Sequence, residues 1–289
     1  MAFPTETVYG LGANAFDELA VSRVFQIKRR PPTNPLIVHV SHLDQAKTLA
    51  AEWPPAAHEI VEAFWPGPLT IVLRKSQLVS ALITAGGETV ALRMPSHPVA
   101  QALLKLCEFP IVAPSANLST KLSPTTAAHV KQQLGGQIDM ILDGGQTDCG
   151  IESTVLDLSI AAPAILRPGA VTKQQIERVL GRTVQIHRAS AKSPGSRGKH
   201  YAPNAKLALI SAAEEPPSEV GALLLRAAPR GKWHFSMPSD PAEYAKQLYA
   251  TLHTLDRAGI EQIVVELPPD EPEWLAVRDR LLRAAGETE

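Results

Sequence analysis

The sequence holds only two cysteines, Cys107 and Cys149, in 289 residues. They stand far apart and form no C-x-x-C pair, which argues against a disulfide framework and against a cysteine-built zinc site. Long apolar runs are missing as well. None reaches the roughly 18–20 residues that span a bilayer. The opening "MAFPTETVYG" has neither the basic start nor the apolar core of a secretory signal. These absences lead to the expectation of a cytoplasmic protein with no membrane association. Familiar site signatures are also absent: no G-x-x-x-x-G-K-[ST], no H-E-x-x-H and no G-x-S-x-G occurs. A net charge of −1 argues against a dedicated nucleic-acid binder.

What is present describes a soluble globular chain, 45% hydrophobic and 20% charged, long enough for two domains. The charge is unevenly spread. Residues 1–205 carry nineteen Lys and Arg against fifteen Asp and Glu; residues 206–289 carry nine against fourteen. An anionic ligand therefore belongs with the first part.

Strand-like runs at 69–73, 89–94, 110–115, 139–143 and 153–158 alternate with helical periodicity over 17–30, 43–53, 97–107, 125–135 and 172–181. Asp17 is a candidate cap, and the last two helices each begin at a Thr and end at a Gly. The pattern restarts with strands at 206–211, 221–226 and 262–267 and helices at 240–259 and 272–286. That succession suits a small Rossmann-like three-layer α/β domain. The reading is a first domain over 1–187, a basic connection over 188–205 and a second domain over 206–289.

Acid-free cationic windows are the strongest chemical signal. No carboxylate occurs between Glu18 and Asp44, yet Arg23, Lys28, Arg29, Arg30, His39 and His42 do. In "KRRPPTNPLIVH" three cations at a helix end precede a proline-stiffened turn with Asn34, then a strand. The helix dipole accounts for one or two cations; the fixed turn points to donors for phosphate oxygens. In "VAPSANLSTKLSPTTA" Ser115, Asn117, Ser119 and Ser123 lie between a strand and a helix. This is either a capped Ser-rich loop or a ligand position. "GLGANA" satisfies G-x-G-x-x-A, but the acid expected about 20 residues on is replaced by Arg29 and Arg30, so its glycines read as close packing. From Arg178 to Ala213 no acid occurs among seven Lys and Arg. "SPGSRGKHYAP" (193–203) is then either a solvated tether or a lid with Tyr201 against a base.

Taken in order, "FPTETVYGLGANA" (3–15), "KRRPPTNPLIVHV" (28–40), "FWPGPLTIVL" (64–73), "VALRMPSHP" (90–98), "PIVAPSANLS" (110–119), "GIESTVLDL" (150–158), "ILRPG" (165–169) and "SPGSRGKHYAP" resemble the threonylcarbamoyl-AMP synthase family in its longer two-domain form. The resemblance implies a YrdC-like twisted-sheet α/β domain, a linker that acts as a lid, and a small Rossmann-like domain. It implies that L-threonine, bicarbonate or CO2, and ATP give threonylcarbamoyl-AMP and pyrophosphate. A downstream threonylcarbamoyl transferase complex would then modify tRNA, so that tRNA is an indirect partner. It places ATP contacts on Arg30, Asn34, Thr89, Ser115, Asn117, Ser123, Arg167 and Tyr201. Threonine contacts fall on Thr7, His39, Arg93, Ala113 and Ser153, and catalytic positive charge on Lys28 and Arg30. Mg2+ is expected through the phosphates, with no dedicated protein metal site.

Two departures concern glycine. Arg29 stands where the family commonly has Gly in "K-G-R-P", and Thr120 where Gly commonly follows "SANLS". The family usually has a helix and strand before "PTETVYG"; here the expectation is that they are missing. Two alternatives remain at this point. One is a non-catalytic RNA- or ribosome-binding protein using the same cationic concavity. The other is a carbamoyl-adenylate maker related to hydrogenase maturation proteins, which carry C-x-x-C cysteines.

Overall fold

The computed structural model describes residues 1–187, 200–226 and 228–287. The first unit runs β1 (Ala2–Phe3), β2 (Gly10–Leu11), β3 (Ala13–Asn14), α1 (Glu18–Lys28), β4 (Ile37–His39), α2 (Leu43–Leu49), α3 (Pro55–Phe64), β5 (Leu69–Arg74), β6 (Thr89–Arg93), α4 (Pro98–Cys107), β7 (Ile111–Val112), α5 (Ala127–Leu134), β8 (Thr154–Asp157), β9 (Ala164–Arg167), α6 (Lys173–Leu180) and β10 (Gln185–Ile186). The second runs β11 (Lys206–Ile210), β12 (Gly221–Leu224), β13 (His234–Ser236), α7 (Pro241–Arg257), β14 (Gln262–Glu266), a 3-10 turn Pro272–Trp274 and α8 (Leu275–Ala285). The expected connection, 188–205, lies between the two sheets. Its residues 188–199 fall outside the described residues.

Among the described residues the first unit builds an eight-stranded mixed sheet in the order β10-β9-β8-β5-β6-β4-β7-β3. The period of two along its central strands decides what each face does. Val38, Val40, Leu69, Ile71, Leu73, Val90, Leu92 and Leu156 join the main core, which takes in Val21, Phe25, Ile60, Val61 and Ile176 from the helices. The alternate residues Ile37, Val72, Ala91 and Val155 form a smaller apolar floor on the other face. His39 and Arg93 continue that second face, as do Thr70 and Ser153. His39 and Arg93 are direct partners in the parallel pairing of β4 with β6, which sets their side chains side by side.

Helix ends follow their local chemistry. The Asp17 carboxylate accepts from the backbone N–H groups of Leu19 and Ala20, and Thr172 forms a capping box with Gln175. Helix α3, not among the elements expected from the sequence, opens at Pro55, where the missing N–H costs nothing. The strand expected over 139–143 is a correction. Only an isolated bridge, Ala2 with Ile141, forms there, because its neighbour β1 is two residues long and ends at Pro4. The strand expected over 110–115 shortens to β7 because Pro110 and Pro114 flank it.

The second unit is a four-stranded parallel sheet in the order β11-β14-β12-β13. Tyr244, Leu248 and Leu252 of α7 and Val277 and Leu281 of α8 cluster with Leu207, Leu223, Ile263 and Val265. Both helices thus cover the same sheet face. Of the expected three layers two are seen among the described residues, where no helix residue joins the opposite cluster of Val220, Ala222, Leu224 and Val264.

The two units pack closely. Val8, Leu122 and Ile151 of the first share a core with α7 and α8. Gly150, at φ +72°, lies so near the α7 backbone that a Cβ there would sit 2.5 Å from the Ala245 carbonyl oxygen.

Candidate functional site

A cavity opens over the face of the first sheet that carries His39 and Arg93, and His200 and Tyr201 of the connection close one wall. Its lining includes Thr7, Arg30, His39, Arg93, Ala113, Ser115, Ser153, Arg167 and Tyr201, nine residues singled out from the sequence. Glu152, His200 and Thr5 also line it and were not singled out.

The three cations of "KRR" go to three different places. Lys28 ends α1 pointing inward, 1% exposed. Its ammonium donates to the carbonyl oxygens of Ser115 and Asn117 and to Asn117 Oδ1. Burial, then Arg30, lowers its pKa well below the usual lysine value. With all three donors committed, Lys28, expected to lend catalytic positive charge, holds the 115–117 loop and does not line the cavity. Arg29 takes the left-handed conformation at the helix end, with φ 51°, and is exposed. Arg30 turns into the cavity. Its Nε donates to Asn34 O at 3.2 Å and its Nη2 to Pro35 O at 3.0 Å, so the proline-stiffened turn fixes the guanidinium. Burial pulls its pKa down to about 10, leaving it cationic at neutral pH.

Also in the lining, Arg167 donates from Nε to Ser153 O at 3.0 Å and from Nη2 to Ser153 Oγ at 3.1 Å. Ser153 Oγ also lies 2.8 Å from Thr70 Oγ1. Deeper in, Arg93 is 4% exposed; its Nε donates to Gly67 O, and its Nη2 stands 2.8 Å from Glu6 Oε1. That last contact is close but off-axis, so neither atom completes a directed hydrogen bond within it. His39 is buried, its Nδ1 has no hydrogen-bond partner, and burial together with Arg93 drives its pKa down to about 3. It is therefore a neutral ring with an unused polar atom.

Other expected residues lie elsewhere. Asn34 contributes its carbonyl to Arg30 but does not line the cavity. Thr89 lines a neighbouring cleft that shares Pro35 and Leu36 with it. Asn117 is 1% exposed, accepts from Lys28 and donates to Leu118 O and Lys121 O. Ser123 is fully buried and donates to Glu152 Oε1. These last two organise the loop behind the wall in place of the ligand contacts expected of them.

Of the expected lid, 200–205 is described. Ala202 N donates to Thr120 O at 3.0 Å and His200 N to Arg283 O at 3.1 Å. This pins Tyr201, 1% exposed, between the two units. Burial lowers the His200 pKa to about 3, and its Nδ1 has no partner. The signal that could have found Glu152 is its solitude: it is the one acid in "GIESTV" and the one carboxylate among the lining residues.

Among the described residues no helix is long and apolar enough to cross a membrane, and no group of three or more His, Cys, Asp or Glu is placed to hold a metal ion.

Comparison with known proteins bears on both units. A family model described as "Telomere recombination" (Sua5, YciO, YrdC) matches residues 1–169, and one described as "Threonylcarbamoyl-AMP synthase, C-terminal domain" matches residues 171–286. The second match begins before β10, a strand that pairs with β9 in the first sheet. The threonylcarbamoyl-AMP synthase of Pyrococcus abyssi is 42% identical over 99% of this chain and 90% of its own length. That of Bacillus subtilis is 41% identical over 99% and 89%. The solved structure of Pyrococcus abyssi Sua5 complexed with L-threonine superposes with a TM-score of 0.91 at 42% identity, covering 99% of this chain and 90% of the other.

Proposed function

This chain belongs to the threonylcarbamoyl-AMP synthase family, and we propose that the cavity walled by Arg30, Arg93 and Arg167 is where it joins L-threonine, CO2 and ATP. The enzyme forms threonylcarbamoyl-AMP and releases pyrophosphate. The observation that supports this location is the convergence of two differently equipped ends in one cavity. One end has Arg93 beside a neutral His39; the other has Arg30 and Arg167, with the Ser153 hydroxyl bonded to Arg167.

We assign threonine to the first end. Arg93 takes the carboxylate through the guanidinium edge that Glu6 meets off-axis, a charge-assisted contact of the stronger kind. His39, neutral and with Nδ1 unpaired, takes a polar group of the amino acid without adding charge beside Arg93. Thr7 and Ser153 supply hydroxyls, and Ala113 offers a small apolar surface for the methyl group. Discrimination against serine rests on that one methyl and is worth about 1–3 kcal/mol.

The chemistry balances with few proton transfers. The threonine nitrogen forms a bond to the carbon of CO2 and loses a proton, giving a carbamate. A carbamate oxygen then bonds to the α-phosphorus as the bond to the pyrophosphate oxygen breaks. Arg30 and Arg167 face the charge that develops on phosphorus, held in advance by Asn34 O, Pro35 O and Ser153. Holding both partners in line supplies up to about 7–11 kcal/mol in the ideal limit. Mg2+ arrives with ATP on its phosphates. We place the product upstream of a transferase that modifies tRNA.

The test is chromatography of ATP, L-threonine and bicarbonate incubated with the purified protein. An AMP-linked threonine adduct should appear with equimolar pyrophosphate and vanish when any ingredient is omitted. It should fall at least about tenfold in Arg30→Ala, the scale of one lost charged hydrogen-bonding group. Adduct formation undiminished in Arg30→Ala would move the reaction out of this cavity.

A further inference from the structure

The cavity that collects cations also contains a carboxylate. Glu152 precedes β8 and is 6% exposed, and it is the one acid among the lining residues. A bare carboxylate there would repel a polyphosphate across a poorly hydrated space, where charge interactions are least screened. The partner that neutralises it comes from the second unit. Arg280 of α8 is 0% exposed and donates from Nε to Glu152 Oε2 at 2.7 Å. Its Nη2 donates to Pro168 O at 3.0 Å and its Nη1 to Asp279 Oδ2 at 2.7 Å. Its Cζ stands 5.1 Å from the centre of the Tyr201 ring. Ser123 and Tyr249 also donate to the Glu152 carboxylate.

The geometry of these contacts is specific. Glu152 adjoins Ser153, and Pro168 adjoins Arg167, the two residues whose mutual hydrogen bonds build the cavity wall. One guanidinium therefore fastens both chain ends from behind. Burial alone would push the Glu152 carboxyl up; Arg280, then Arg167 and the Ser123 hydroxyl, outweigh it and hold it at about 2. The carboxylate is thus ionised whenever the enzyme works.

We propose that Arg280, contributed by the second unit, is a positioning residue of the nucleotide site: it masks the Glu152 charge and braces the strand ends that carry Ser153 and Arg167, of which Arg167 meets the phosphates. This rests on the assignment of Arg30 and Arg167 to ATP. It gives the second unit a part in nucleotide binding, exerted from α8 through Glu152 and Pro168.

The test compares the full-length protein with Arg280→Met, Glu152→Gln and the double variant, reading the affinities of a non-hydrolysable ATP analogue and of L-threonine by calorimetry. Arg280→Met should weaken the analogue by about tenfold or more, while threonine, which keeps Arg93 and His39 and meets the braced strands only through Ser153, weakens by no more than about threefold. The double variant, which removes both charges, should recover analogue affinity to within about threefold of the wild type; the remainder reflects the lost Pro168 brace. A merely structural role predicts that both ligands weaken together. Unchanged analogue binding in a folded Arg280→Met protein would overturn the proposal, and so would a double variant as weak as the single one. Should Arg280→Met fail to fold, the double variant decides: folded but unable to bind the analogue, it contradicts charge masking. Arg30→Ala serves as the control. If it too leaves the analogue untouched, the placement of ATP fails, and not the role of Arg280 alone.

Discussion

Lys28 shows how much a side chain's environment decides its role. From the sequence it is one of three adjacent cations, and nothing in "KRR" says which turns inward. Folding buries it and commits its ammonium to three oxygen acceptors on Ser115 and Asn117. Lys28→Met removes the donors: Ser115 O and Asn117 Oδ1 keep the Asn117 N–H and the Ser115 hydroxyl, while Asn117 O loses its bond to the ammonium. We expect a loss of about 1–3 kcal/mol in denaturant unfolding, together with weaker nucleotide binding through the displaced Ser115. A variant as stable as the wild type would show that the loop stands without its anchor. The ligand roles proposed for Arg93 and His39 rest on the family resemblance. Their face of the sheet, by contrast, follows from the alternation in "LIVHV" and "VALRM". Arg280 was not visible at all, because "VRDRLLRAA" reads as an ordinary solvated helix face, and only the docking of the second unit buries it.

At the scale of elements, the two departures from the family's glycines fall on left-handed backbone. Arg29 has φ 51° and Thr120 φ 70°. Both side chains are exposed, so neither is held there by packing. A residue with a Cβ is strained in this conformation by about 1–2 kcal/mol, partly offset by the greater entropy glycine loses on folding. Arg29→Gly and Thr120→Gly should each therefore stabilise the protein by about 0.5–1 kcal/mol, read as a higher midpoint in urea. A lower midpoint would contradict the backbone account. Helices with a cap and a regular apolar stripe were legible to within a few residues: Asp17, Thr172 and Asp240 each stand at the N-cap of the helix expected there. Short strands beside prolines were not, because their existence depends on a partner distant in sequence. The 139–143 run has the composition of a strand but only a two-residue neighbour.

For the whole molecule, the two units share a core and a set of buried titratable groups. His129 of α5 stacks on His253 of α7 with ring centres 3.8 Å apart. Burial first, and neighbouring charge second, lowers the pKa of His129, like those of His39 and His200, to about 3 from an ordinary 6.5. Each of these groups has a folded pKa below its unfolded one. Their contribution to stability is thus complete above about pH 6.5 and is lost as pH falls from 6.5 toward 3. Glu152 behaves likewise in a lower window, between 4.5 and about 2. The melting temperature should be nearly flat from pH 7 to 8 and fall steadily below pH 6.5, with proton uptake on unfolding at pH 5. A melting temperature that rises on acidification would show that these rings are charged in the folded state.

The central claim is that one cavity of the first unit, bordered by His200 and Tyr201 of the connection, seats a nucleotide beside a small hydroxylated amino acid. The most direct measurement is a crystal structure of the full chain grown with a non-hydrolysable ATP analogue and L-threonine. The predicted result has the threonine carboxylate on Arg93, its hydroxyl and amine among Thr7, His39 and Ser153, and the α-phosphate between Arg30 and Arg167. Both ligands bound outside this cavity, or the cavity filled by the protein's own side chains at saturating ligand, would contradict it.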